Sequence, residues 1–340
     1  TFDGPVTVGG ELIIEGPGEV VFNGDLVVGG DALIEADDVE FLGGAGSVRS
    51  EMGGTITVRP ATSGYTTEVG AFSGPAADAA LSLSTADLNT LSGGFGKIVI
   101  GHRDDATGHA SSAAGSVRLG VRAGHAHTFT VPTEIYAESL VIGDHAEALK
   151  ISDTLLIAAR GDVVVLNEVV ADSELTVHSA AGRIVQRPDV ADGVAEEPIT
   201  APLLTVTAVS GVNLPWLDVD RVDVQNSGAG DVSVTQVAAA GGIEVVRLAQ
   251  TDAAAAGGIE LSTENGTITI SAGESGVTTV GSGGITLAAS GAGADVLVNE
   301  PVTTTTGAIS IHAARTITNA VIVSAIGVGN IALSAGANVD

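Results

Sequence analysis

A chain of 340 residues with 44% apolar letters, 3% aromatic residues and no cysteine builds its core from Val, Ile, Leu and Ala, which excludes a disulfide-stapled scaffold. A formal charge of −28, from 13 Lys and Arg against 41 Asp and Glu, excludes the broad basic surface that nucleic acids or anionic membranes require. No stretch has the uninterrupted apolar length of a bilayer-crossing helix, so membrane insertion is not expected. Strong acidity favours solubility and suits salt water, where screening confines self-repulsion to about 8 Å. The expected location is therefore extracellular or at the cell surface.

The chain opens on one phrase written twice. V-T-V-G-G-E-L-I-I-E-G-P-G-E-V-V-F-N-G (Val6 to Gly24) falls on L-V-V-G-G-D-A-L-I-E-A-D-D-V-E-F-L-G-G (Leu26 to Gly44). Gly9 and Gly10 lie over Gly29 and Gly30, Ile14 over Ile34 and Glu15 over Glu35, with a one-residue slip at Val20 and Val39. A fixed period of about twenty residues marks a solenoid, whose units bury their apolar faces only by stacking. Each copy holds three short apolar runs: Val6-Thr7-Val8, Leu12-Ile13-Ile14 and Val20-Val21-Phe22 in the first. Three strands and three turns make one triangular coil of a right-handed parallel β-helix, an all-β fold, whereas a hairpin meander has no reason to repeat its letters.

Coils continue through Ser47-Val48-Arg49 and Thr55-Ile56-Thr57-Val58, so 1–60 reads as regular. Residues 61–80 are rich in Ala, Gly, Ser, Thr and Pro and read as an excursion with too few large apolar residues to fill a coil. Ser84 and Asp87 then form a capping-box-like pair, and Leu88 and Leu91 share a helical face. This predicts a helix over 85–91, ended by Gly93-Gly94, before Lys97-Ile98-Val99-Ile100 resumes a strand.

The run L-S-L-S-T-A-D-L-N-T-L-S-G-G-F-G-K-I-V-I-G-H-R-D-D-A-T-G (Leu81 to Gly108) resembles a segment of giant repetitive bacterial surface proteins of the filamentous-haemagglutinin-like kind. Those proteins show an apolar strand, a short A-D-L-x-x-L helix, a G-F turn, an I-x-I-G strand and an acidic, glycine-containing loop. The chain departs from that pattern at His102, where arginine is expected, and Arg103 follows. The resemblance implies a secreted β-solenoid of adhesin or fibre type and brings no catalytic residues with it.

Strands return at Val117-Arg118-Leu119, Thr128-Phe129-Thr130-Val131, Leu140-Val141-Ile142 and Leu155-Leu156-Ile157. The segment 183–202, with Pro188, Glu196-Glu197 and Pro198, reads as a lateral loop, because its prolines and paired acids do not suit a stacked interior ladder. From 203 to 340 one phrase recurs, small-Ile-polar-aliphatic, as in Gly242-Ile243-Glu244-Val245, Gly258-Ile259-Glu260-Leu261 and Gly284-Ile285-Thr286-Leu287. Alternation puts both apolar residues inside. Ile259, Ile268, Ile285 and Ile309 are expected to share one interior column. The whole of 1–340 reads as one elongated domain with two loop-rich decorations: 61–130, which holds the helix, and the loop 183–202, with regular coils at 131–182. The chain begins at Thr1 and ends in mid-pattern, so it is expected to be a piece of something longer. Its terminal coils would then be covered by flanking segments or by further copies docked end to end.

The search for chemistry finds no G-x-S-x-G, H-E-x-x-H, complete G-x-G-x-x-G or P-loop. Paired carboxylates are too common among 41 acids to mark glycoside hydrolysis. Trp216, between Pro215 and Leu217, is read as a buried corner residue in preference to a sugar platform. His102, His109, His125, His127 and His145 crowd one zone. A polar loop surface explains them, and transition-metal binding through His125 and His127 is the other reading. Gly43-Gly44-Ala45-Gly46 and Gly93-Gly94-Phe95-Gly96 begin like a calcium nonapeptide but lack its Asp. Asp37, Asp38, Asp104, Asp105, Asp218, Asp220 and Asp223 remain the calcium candidates. Arg160-Gly161-Asp162 reads as a turn before a strand.

The expected function is therefore structural and adhesive: a segment of a secreted bacterial surface fibre, stalk or adhesin, without catalytic or cofactor-binding residues, displayed towards surface glycans or other cells. The alternative is a carbohydrate-active β-helix enzyme such as a polysaccharide lyase. A lyase would gather Arg or Lys, acids and aromatics on one long groove.

Overall fold

The two copies of the opening phrase stack directly on each other. In this computed structural model, which describes residues 1–70, 80–91, 94–104, 106–120, 127–143, 148–187, 198–237, 241–254 and 256–339, each apolar run of the first copy pairs in parallel with its counterpart. Val6 meets Leu26, Ile14 meets Ile34, and Phe22 meets Phe41 across three separate faces. The one-residue slip is taken up in the turn, since Val20 pairs with Val39 while Glu15 still pairs with Glu35. Each coil thus lies one strand spacing, ~4.8 Å, from the next, and the fold is a parallel β-helix with one short helix among the described residues. Packing divides these residues into two compact units, Thr1–Ser173, and Glu174–Arg187 with 198–339.

In the first unit the inward column Ile34, Val58, Ile100, Ile135 and Ile157 is fully buried, each side chain stacked on its counterpart in the next coil. Burial of this kind contributes roughly 1.5–3 kcal/mol per side chain. On another face Phe2, Phe22 and Phe41 form a ring stack with centroids 4.9 and 5.6 Å apart. That stack meets the helix Thr85–Leu91, at the residues predicted. Asp87 joins the two. Its Oδ1 accepts the Phe41 backbone N–H at 2.9 Å, and its Oδ2 accepts the N–H and hydroxyl of Ser84 at 2.8 and 2.5 Å. Ser84 Oγ in turn accepts the Asp87 N–H at 3.2 Å, completing the capping box, and Leu88 and Leu91 face inward.

Within the zone 61–130 the strands expected at 97–100 and 117–119 are present as Lys97–Gly101 and Val117–Gly120, and a further strand, Thr66–Gly70, lies in the stretch read as an excursion; all three are within the parallel ladders. Among the described residues an excursion leaves at His102, whose Nε2–H donates to the Pro60 carbonyl at 2.7 Å. It closes through an Arg103–Ala110 bridge and lays Ala110 and Ala114 on the outward side chains Val99, Tyr136 and Ala158.

In the second unit Val232, Ile259, Ile285, Ile309 and Ile331 form one column. Ile268 does not belong to it, contrary to expectation. It stacks with Ile243, Val296 and Ile317, because nine residues carry the chain round one corner of the same coil rather than up to the next. The period also stretches, from twenty residues between Val6 and Leu26 to twenty-six between Ile259 and Ile285. The segment read as a lateral loop at 183–202 has strand at both ends, Ile184–Gln186 and Ile199–Ala208, and its middle lies outside the described residues.

Inside this second core runs a polar column that apolar patterning does not reveal. Asn226, Gln250, Thr279 and Thr304 are in register and essentially inaccessible. Asn226 Nδ2 and Gln250 Nε2 donate to the Gly230 carbonyl at 3.1 and 2.7 Å. Thr279 and Thr304 donate to the Gly283 carbonyl at 2.9 and 3.0 Å. The adjacent turns are glycine because they touch backbone to backbone: a Cβ on Gly257, Gly283, Gly307 or Gly329 would collide with the carbonyl of the glycine one coil below.

Candidate functional site: an outward groove on the first unit

Alternation along Leu12–Glu15, Ala32–Glu35, Thr55–Arg59, Lys97–Gly101 and Thr133–Ala137 sends every second side chain outward, and stacking turns these into columns. The middle column is Ile13, Leu33, Thr57 and Val99, followed by Glu134. Beside it run Glu15, Glu35 and Arg59, and on its other flank Thr55 is followed by Lys97. The excursion brings Arg103 over the later coils. The result is a groove of about 400 Å³ with an aliphatic floor, with Glu11 and Asp31 at the early coils and Arg59, Lys97 and Arg103 at the later ones. Ile13, on the floor, is 61% exposed.

The bases are held in place by carboxylates. Arg59 pairs with Glu35 at 2.6 Å and Lys97 with Glu134 at 2.7 Å, while Arg103 lies 3.7 Å from the same Glu134 and 5.8 Å over the Tyr136 ring. The Tyr136 hydroxyl donates to Glu134 at 2.9 Å. Partial burial pushes the Glu134 carboxyl up. Hydrogen bonds from Lys97 and Tyr136 and the charges of Lys97 and Arg103 outweigh this, leaving it below the ordinary glutamate value. In a chain with 13 bases, three on one patch are a local concentration of positive groups, each close to a carboxylate. Sequence reading missed them because only stacking brings 59, 97 and 103 together. The signal that was present is the outward column Glu15–Glu35, which changes sign at Arg59.

Among the described residues the calcium candidates do not converge. Asp37 accepts the Thr62 N–H and hydroxyl, each at 2.7 Å, and Asp104 closes a local turn on the Ala106 N–H at 2.9 Å. Burial, then repulsion from Glu19 and Asp87, raises the Asp38 carboxyl above its ordinary value. Asp218 and Asp220 are exposed on the strand Val212–Asn226, and Asp223 is bidentate to Arg247 at 2.7 and 3.2 Å. Asp105, His125 and His145 lie outside the described residues. His127 packs edge-on against Phe129 and meets Asn89 Oδ1 at 3.0 Å. Among the described residues no three His, Asp or Glu side chains are placed to hold a metal ion. Trp216, expected to be buried, is half-buried at a register shift in its strand, its backbone N–H donating to Gln186 Oε1 at 3.1 Å. Arg160 of the Arg-Gly-Asp turn pairs with Glu138 at 3.0 Å.

Compared with known proteins, the chain matches no family model, no curated sequence and no solved structure. Among the described residues no helix is long and apolar enough to cross a membrane.

Proposed function

We propose that this chain is a structural and adhesive segment of a secreted bacterial surface fibre, stalk or adhesin, akin to the filamentous-haemagglutinin-like proteins that Leu81 to Gly108 resembles. The observation that carries this reading is the continuity of the interior columns, as from Val232 through Ile259, Ile285 and Ile309 to Ile331. Such stacking converts sequence length into axial length and stiffness, and leaves outward positions for display. Ile331, Leu333 and Val339 sit in interior registers yet are 45%, 37% and 49% exposed. Flanking coils or a second copy docked end to end would cover them. Electron microscopy of the native assembly should show the solenoid axis running on past this segment, and surface proteolysis of intact cells should release it. A free rod that never associates, or a protein found only inside cells, would sink the reading.

The groove favours a second reading in part, since Arg59, Lys97 and Arg103 beside acids are what a polysaccharide lyase needs. The discriminating assay is incubation with polygalacturonate, followed by ultraviolet absorbance of the unsaturated product. Product formation, lost on Lys97→Ala, would replace the fibre reading.

A further inference from the structure

We propose that the groove over Ile13, Leu33 and Thr57 binds an extended, uncharged oligosaccharide; this rests on the adhesive reading and gives that reading a ligand site. The groove follows the stacked outward residues Ile13, Leu33 and Thr57, with Arg103 from the start of the excursion at its later coils, a line of positions that suits a slender chain. Its floor offers aliphatic surface at Ile13 and Leu33, on which the C–H faces of sugar rings can pack.

Charge decides the ligand class. A polyanion meets Arg59, Lys97 and Arg103 at one end but Glu11 and Asp31 at the other, with Glu15 and Glu35 alongside and the field of a −28 chain behind them. A polycation meets the opposite mismatch. Sugar hydroxyls both donate and accept, so a neutral chain can use carboxylates at the early coils and guanidinium and ammonium donors at the later ones. The pairs Arg59–Glu35 and Lys97–Glu134 hold those side chains in place before a ligand arrives, which reduces the ordering cost of binding.

The test titrates the intact chain with cellohexaose, mannohexaose and chitohexaose, and separately with polygalacturonate, by calorimetry. Binding of at least one neutral hexasaccharide is expected. Arg59→Ala or Arg103→Ala should weaken it about tenfold, the loss of one charged hydrogen bond. Thr57→Arg, which fills the floor, should abolish it, and Arg160→Ala, outside the groove, should leave it unchanged. Circular dichroism of each variant separates lost binding from lost fold. Preference for polygalacturonate would overturn the neutral ligand. Absence of binding to every probe would overturn the site itself while leaving the fibre reading standing, since that is judged by the axis seen in electron microscopy.

Discussion

Asp87 is the side chain on which the inserted helix and the strand Asp38–Phe41 both depend. One carboxylate oxygen serves the buried Phe41 N–H and the other serves the half-buried Ser84, and Asp87 itself is buried. Asp87→Ala leaves these donors unpaired and should cost about 2–4 kcal/mol, seen as a lower thermal midpoint. Asp87→Asn, which keeps an acceptor, should recover part of the loss, and equal melting of both variants would contradict the assignment. His127 gives a pH-dependent counterpart. Burial pulls its pKa from the ordinary 6.5 down to about 4, so the folded chain holds it neutral. Between those values the unfolded chain binds a proton that the folded one refuses, so stability falls as pH drops from 6.5 towards 4. Allowing for its remaining solvent access, the loss is about 2–3 kcal/mol. It should shrink in His127→Gln, read as the difference between the two pH profiles.

At the scale of elements, the glycine turns carry the stacking as much as the isoleucines do. Gly283→Ala should lower stability by about 2–4 kcal/mol, because the new methyl meets the Gly257 carbonyl and coils must part. Gly9→Ala, with open space around it, should stay within about 0.5 kcal/mol. Similar melting of the two variants would mean that the coils are not in backbone contact. The helix was legible in sequence because its cap and its apolar pair are local, Ser84 with Asp87 and Leu88 with Leu91. The opening coils were legible because their letters repeat. Ile268 was misplaced because the phrase around it is the same on two faces, and only turn length tells which face a strand occupies. The buried column of Asn226, Gln250, Thr279 and Thr304 went unread because residue type varies along it and the interval to the stacked glycine turn is not constant, four residues at Asn226 and Thr279, seven at Gln250 and three at Thr304. The groove was out of reach for a stronger reason, since its bases become neighbours only through coil-to-coil register.

At the scale of the molecule, 41 acids against 13 bases mean that self-repulsion opposes folding, so added sodium chloride should raise the melting temperature despite weakening exposed ion pairs. Within each unit a coil rests on its immediate neighbours, and such stability is a sum of local terms rather than one cooperative total. Ile285 tests this directly. It is 1% exposed, with Ile259 on one side and Ile309 on the other. Ile285→Asp places a carboxylate between two apolar layers with no partner and should cost about 4 kcal/mol or more. Hydrogen exchange should quicken in Ile259–Thr263, Ile285–Ala289 and Ile309–Ala313, where amides bond across the damaged layer. Ile199–Ala208, several coils away in the same unit, should keep its protection. Equal loss of protection across all four strands would show that the unit melts as a single block, and the picture of independent nearest-neighbour coils would have to be abandoned.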